Sequence, residues 1–204
     1  MGNYKESIAI IIPALDPDER MVSLVGQLHD DGFSNIILVD DGSLIANRKY
    51  FKTCKETCHC KIIRHVVNFG KGIALKSAFN YILEQRPDIK GAVTVDCDGQ
   101  HVLPDINTCA KLTYEHPDSL ILGCRQFDDK EIPLRSRFGN KLTRQMIRLL
   151  CGIHVSDTQT GLRGLPTPLI REHFANVKGE RFEYEMNMLI AAKEYQIPIE
   201  EFPI

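Results

Sequence analysis

Five short, β-branched apolar runs punctuate the first 125 residues, and helical patterns separate them. "SIAIIIPA" (7–14), "NIILVD" (35–40), "KIIRHVV" (61–67), "GAVTVD" (91–96) and "LILGCR" (120–125) read as strands. Their near-continuous apolar character is that of strands buried on both faces, as in a parallel sheet covered by helices. Residues 18–30, 45–58, 72–85 and 103–115 read as the intervening helices. In the third, Ala74, Ala78, Tyr81 and Ile82 recur at helical spacing, with Pro87 past its end. Repeated β-α-β units predict an open, doubly wound, mostly parallel α/β sheet.

Such sheets bind ligands beyond the carboxyl ends of their strands. The loops expected there are "PALDPDE", "VDDGS", "NFGKG" and "VDCDGQH", so glycine and polar side chains collect on one edge. Residues 126–204 are less regular, with a loop "QFDDKEIP", a basic helix, "SDTQTGLRGLP" and a last helix over about 182–195. The expectation is one domain over 1–204: a nucleotide-binding half (1–125) and an acceptor-side half (126–204).

At 204 residues, 43% hydrophobic and 25% charged, the chain is long enough for one sizeable core. A net charge of −2 argues against a general nucleic-acid binder. The opening "MGNYKESIAIIIPALD" lacks a signal-type apolar segment, and seven cysteines suit a reduced, cytoplasmic setting. No run reaches the roughly 18 apolar residues that span a bilayer.

Each motif has a plain reading beside the functional one. "NFGKG" before a helix could offer backbone amides and Lys71 to a phosphate, or be an ordinary helix-entry turn. His65 replaces the first glycine of a Walker A loop and Gly72 its Ser/Thr, and Leu75 replaces the third glycine of a dinucleotide fingerprint. Asp40 and Asp41 in "VDDGS" fit a hydrated turn or a contact to base or ribose. Asp96 and Asp98 in "VDCDGQH" are hard oxygen donors suited to Mg2+ or Mn2+, and a turn through Gly99 could swing Asp98 and Gln100 toward one ion. The D-x-D-G start also occurs in aspartyl-phosphate phosphatases, but Gln100 stands where they carry Thr, and this is not the first strand. Cys54, Cys58, His59 and Cys60 lack the paired C-x2-C spacing of common zinc sites. In "RSRFGNKLTRQMIR", Arg137, Lys141, Arg144 and Arg148 share one helix face. That face is either solvated or set against a diphosphate, a lipid phosphate or an anionic membrane.

Taken together, "IIPALDPDE", "ILVDDGS", "NFGKGIAL", "VTVDCDGQH", "GCR", "DTQTGLRGLP" and "FEYEMNML" resemble family 2 glycosyltransferases of the GT-A fold. The likeness is to dolichol-phosphate mannose synthases and bacterial polyprenyl-phosphate sugar transferases, over nearly the whole chain. It implies a Rossmann-like GT-A domain moving one sugar from a UDP- or GDP-sugar to a polyprenyl phosphate, with inversion. Pro13, Ala14, Leu15 and Glu19 would line the nucleotide pocket, Asp40 and Asp41 contact base or ribose, and Lys71 the same nucleotide. Asp96, Asp98 and Gln100 would hold Mg2+ or Mn2+ against the donor diphosphate. Arg125, Arg135, Arg137 and Gln159 would meet an acceptor phosphate. Asp157, Asp98 and Arg125 are the catalytic candidates. Asp157 would activate the acceptor oxygen or, since a phosphate is already anionic, orient the sugar or acceptor.

There are departures. Asp16-Pro17 lengthens the first motif, leaving Asp16, Asp18 and Glu19 as alternatives at the ribose. Absence of tryptophan removes the Q-x-x-R-W segment of processive members and favours single-sugar transfer. Relatives continue beyond the strand-like "IPIEEFPI", so a truncated, peripheral enzyme at the inner membrane face is expected. A hydroxyl acceptor, or a non-catalytic nucleotide-sugar module, are the rival readings.

Overall fold

The computed structural model describes residues 3–125, 152 and 155–204. The expected basic helix over 135–148, with Arg135 and Arg137, lies outside the described residues.

A short helix, α1 (Tyr4–Ser7), leads into β1 (Ile8–Ala14). Then come α2 (Glu19–Asp30), β2 (Ile36–Asp40), α3 (Arg48–Cys58), β3 (Lys61–Arg64), α4 (Lys71–Gln85), β4 (Gly91–Thr94), α5 (Leu103–Glu115) and β5 (Leu120–Cys124). The remainder adds β6 (Arg163–Pro166), α6 (Thr167–Glu172), α7 (Glu183–Glu194) and β7 (Ile199–Pro203). The seven strands form one sheet in the order β3-β2-β1-β4-β6-β5-β7. Every pairing is parallel except those of β6, which runs antiparallel to both β4 and β5.

Period-2 alternation sorts the strand side chains onto two faces. Ile8, Ile10 and Ile12 join Met21 and Val25 of α2, Phe51 of α3 and Ile106 of α5 in one core. Ala9 and Ile11 join Ala78 and Phe79 of α4, Ile170 of α6 and Leu189 of α7 in the other. All seven residues of β1 are buried, as a doubly covered strand requires.

Two expectations are corrected. The strand read over 61–67 stops at Arg64 and is an edge strand whose residues are only partly buried or exposed. The chain leaves the sheet after the His65 N–H donates to the Asp40 carbonyl (2.8 Å), which throws Val66 into solvent at 88% exposure. "TGLRGLP" holds an unforeseen strand, β6, wedged into the sheet's middle. The pattern 45–58 is a 3-10 turn over Ile45–Asn47 followed by α3, while 103–115 is a helix over its whole predicted length.

Register levels the ends of the first three strands: Ala14 pairs with Asp40, and Asp40 with Arg64. The loops that follow therefore start side by side.

Candidate active site

Those loops are stapled in series. The Asp16 N–H donates to Ser43 Oγ (2.9 Å), and Asp16 Oδ1 accepts from the Leu44 N–H (2.7 Å), tying the first loop to the second. Gly42, at φ 82°, sits where any Cβ would strike the Val67 backbone, so the second loop lies directly on the third. Asp41 then fastens "NFGKG": its carboxylate accepts from His65 Nδ1 (2.7 Å), Phe69 N–H (3.0 Å) and Gly70 N–H (2.7 Å). Lys71 opens α4 immediately beyond.

Lys71 is the electrostatic centre. Its ammonium lies 2.7 Å from Asp96 Oδ1 and 2.9 Å from Glu185 Oε1, the second contact off the line of a hydrogen bond. Burial works against the charge, but Glu185 and Asp96 outweigh it and raise the Lys71 pKa. Asp96 is the mirror case. Burial pushes it up, yet His101 and Lys71 hold it well below the usual carboxylate range. His101 Nε2 stands 3.7 Å from Asp96 Oδ2, longer than a direct hydrogen bond. Asp96 also occupies the space opposite Gly161, where an added Cβ would collide with its carboxylate.

After Asp96 the chain turns through Gly99 at φ 79°, with the Gln100 N–H donating to Asp98 Oδ1 (3.0 Å) and Arg20 Nη1 to the Asp98 carbonyl (3.0 Å). Cys97, between the acids, has its thiol pushed up to about 11 by burial and then by Asp96 and Asp98.

Two cavities meet at Asp96. The first, about 320 Å3, is lined by Pro13, Ala14, Leu15, Asp41, Lys71 and Asp98 among others. Its far wall is Arg181 and Phe182, the latter opening the motif "FEYEMNML". Gly70 (φ 102°) lets that wall close, since a Cβ there would meet the Glu180 carbonyl and the Arg181 side chain. The second cavity, about 230 Å3, holds Gln100, His101, Arg125 and Gln159 on the other side of Asp96.

Asp157 is fully buried beneath the second cavity. Its Oδ2 accepts from Arg125 Nε (2.7 Å), and its Oδ1 from Arg125 Nη2 (3.2 Å) and the Gln159 N–H (3.0 Å). Arg163, on β6, is fully buried between the two halves of the site. Its Nε donates to the Thr160 carbonyl (3.0 Å) and its Nη1 to the Glu185 carbonyl. Burial depresses its pKa against the charges of Glu185, Asp157 and Asp96, but arginine stays protonated.

Among the described residues, most of the sequence-expected side chains thus come together, and two do not. Glu19 is the exposed first residue of α2 and lines neither cavity. Asp40 is turned away: its Oδ1 accepts from the Ser43 N–H (2.8 Å) and its Oδ2 from Arg64 Nε (2.8 Å). Of the alternatives to Glu19, Asp18 caps α2 and Asp16 is spent on the second loop. Glu185, Arg163 and His101 are the unforeseen members. "FEYEMNML" carried Glu185 as part of a pattern, and burial of an acid beside Lys71 is visible only in three dimensions.

Among the described residues, no group of three or more His, Cys, Asp or Glu side chains is disposed to hold a metal. Asp96 and Asp98 are nonetheless hard donors lining a space large enough for phosphate oxygens, which is the set a substrate-completed Mg2+ or Mn2+ uses. At the cysteine cluster, burial lifts the Cys54 and Cys60 thiols to about 11 and about 12.

The family model described as Glycosyl transferase family 2 matches residues 10–174. An uncharacterized protein of Methanocaldococcus jannaschii is 30% identical over 203 residues, covering 98% of this chain and 81% of that protein. The UDP-N-acetylglucosamine–dolichyl-phosphate N-acetylglucosaminyltransferase of Methanococcus voltae is 30% identical, covering 97% and 84%. Human dolichyl-phosphate beta-glucosyltransferase is 24% identical, covering 98% and 67%. Among solved structures, glucosyl-3-phosphoglycerate synthase of Mycobacterium tuberculosis superposes at a TM-score of 0.72 with 15% identity, covering 98% of this chain and 71% of that one. The likeness shows the GT-A fold.

Proposed function

The chain belongs to glycosyl transferase family 2, and from that membership we propose that it moves one sugar from a UDP- or GDP-sugar to a polyprenyl phosphate, inverting the anomeric centre. The donor diphosphate would sit in the first cavity, between Lys71 and the Asp96–Asp98 turn, with the nucleoside against Pro13–Leu15 and Asp41. A divalent cation held by Asp96 and Asp98, with Gln100 near, would supply charge neutralisation to the leaving diphosphate. Lys71 adds a fixed positive charge where negative charge develops. The relatives named for dolichyl-phosphate acceptors support the lipid phosphate, and a neighbour solved with Mn2+ and UDP supports the donor chemistry.

The observation that favours an acceptor phosphate over a hydroxyl is the pairing of Asp157. Both of its oxygens are already engaged, Oδ2 by Arg125 Nε and Oδ1 by Arg125 Nη2 and the Gln159 N–H, so the carboxylate is spent on positioning rather than aimed at an acceptor hydroxyl. A phosphate needs no base, and Arg125 and Gln159 in the second cavity are suited to binding it. Calorimetry with UDP- and GDP-sugars, with and without Mn2+, tests the reading. One nucleotide sugar should bind, more tightly with the cation, and Asp98→Ala should remove the cation dependence. Failure of every nucleotide to bind ends the proposal.

A further inference from the structure

Beyond the cavities, five large apolar side chains stand in solvent at one corner of the site's edge. Leu44 is 66% exposed, Ile45 81%, Val66 88%, Val67 54% and Phe69 48%. None lines either site cavity. They belong to the loops after β2 and β3, which are pinned rather than loose: Leu44 by Asp16, Phe69 by Asp41, and Val67 against Gly42. Rigid loops that present aliphatic pairs to water forgo the burial each would gain elsewhere, about 1.5–3 kcal/mol for a side chain of this size. A contiguous exposed apolar group of this kind marks an interaction surface.

Charge beside it selects the partner. Directly after Ile45 and Asn47, α3 carries Arg48, Lys49, Lys52 and Lys55 against one acid, Glu56. A groove next to it runs from Arg48, Lys49, Lys52 and Lys55 to Arg64 of β3, the strand that feeds Val66. Arg48 and Arg64 are partly engaged by Asp40, at 4.0 and 2.8 Å, and Lys52 by Glu56 at 3.8 Å. Lys49 lies over Tyr50 and keeps its charge at the surface, and Lys55 adds another. Exposed apolar tips beside a lysine-bearing helix match the boundary of a bilayer, where apolar groups enter by about 5–10 Å and ammonium groups meet lipid phosphates.

We propose that Leu44–Ile45, Val66–Val67 and Phe69 form a wedge that docks this edge of the protein on an anionic lipid surface, with the lysines of α3 as its electrostatic collar. The docked loops run straight into Asp41 and Lys71, which line the first cavity. This surface is separate from the basic stretch 135–148 in sequence, and the docking requires no prenyl phosphate.

The test is flotation of the full chain with vesicles of phosphatidylcholine alone or with about a third phosphatidylglycerol. The protein should float with the anionic vesicles and stay behind with the neutral ones. Each lysine at such a surface contributes roughly fivefold to partition. Lys49→Gln/Lys52→Gln/Lys55→Gln should therefore weaken it about a hundredfold, and Ile45→Glu/Val66→Glu should abolish it. Both variants should retain nucleotide binding in solution, which separates failure here from failure of the proposed function. Three results overturn the proposal: no flotation of the wild type, full flotation of Ile45→Glu/Val66→Glu, or a wild-type dimer that this variant dissolves while vesicle binding persists. The last would make the wedge a self-association surface.

Discussion

Asp157 illustrates how a single partner changes a residue's chemistry. A carboxylate that faces open space can take a proton from an acceptor; Asp157 is buried, with Oδ2 held by Arg125 Nε and Oδ1 by Arg125 Nη2 and the Gln159 N–H. Asp157→Asn should lower kcat with a polyprenyl phosphate by about tenfold or less, through disturbed Arg125 and Gln159. Loss of the proton acceptor for a hydroxyl would cost roughly 10²–10⁴, so turnover assays with the two acceptor classes separate the roles. Cys97 carries a pH prediction. With its pKa raised to about 11, the reactive thiolate is scarce at neutral pH and grows about tenfold per pH unit until near that value. Alkylation followed by mass spectrometry should show that slope at Cys97 and near-inertness at pH 7; a plateau by pH 9 contradicts it. Asp96, Asp98 and Lys71 were legible in the sequence because each sits in a short motif at a strand end. Glu185 and Arg163 were not, because their meaning comes from a buried Lys71 contact and from a strand that pattern alone does not announce.

At the scale of elements, legibility followed burial. β1, β2, β4 and β5 are apolar on both faces and announce themselves. β6 reads Arg-Gly-Leu-Pro, two of whose residues disfavour strands, and is held by pairing on both sides instead. β3 was read too long because Val66-Val67 keeps the β-branched composition after the chain has left the sheet. The contact of α4 with the start of α7 and the residues just before it is legible through a glycine. An added Cβ at Gly72 would stand 2.7 Å from Tyr184 Cβ and 2.9 Å from the Glu180 backbone. Gly72→Ala should therefore destabilise by about 1–3 kcal/mol despite the better helix propensity. Gly26 in α2 meets nothing within 4 Å, so Gly26→Ala should stabilise by about 0.5–1 kcal/mol. Urea midpoints at unchanged m-value measure both; the same sign at the two sites refutes the packing argument.

Across the whole molecule, the site gathers chain segments that lie far apart. One wall of the first cavity comes from residues 13–98 and the other from Arg181 and Phe182, while Lys71 of α4 grips Glu185 of α7. The sheet is equally interleaved, since β6 sits between β4 and β5 and β7 closes on β5. A ligand bound there touches both ends of the sequence and has no counterpart site in the unfolded chain. Its binding energy should appear as stability of the entire fold. At a nucleotide-sugar concentration 100 times Kd with saturating Mn2+, stabilisation is about 2.7 kcal/mol. For a chain of this size that corresponds to a Tm rise of about 5–10 °C. Scanning calorimetry should show one transition that moves as a unit. Two transitions, only one of them shifted, would mean that the amino-terminal strands bind the nucleotide without the 181–185 wall. In Asp98→Ala the Mn2+-dependent part of the shift should vanish while the nucleotide-only part remains, because Lys71 and the first loop are untouched. If the Mn2+ increment survives intact in that variant, the cation is held by ligands other than the Asp96–Asp98 pair that follows β4.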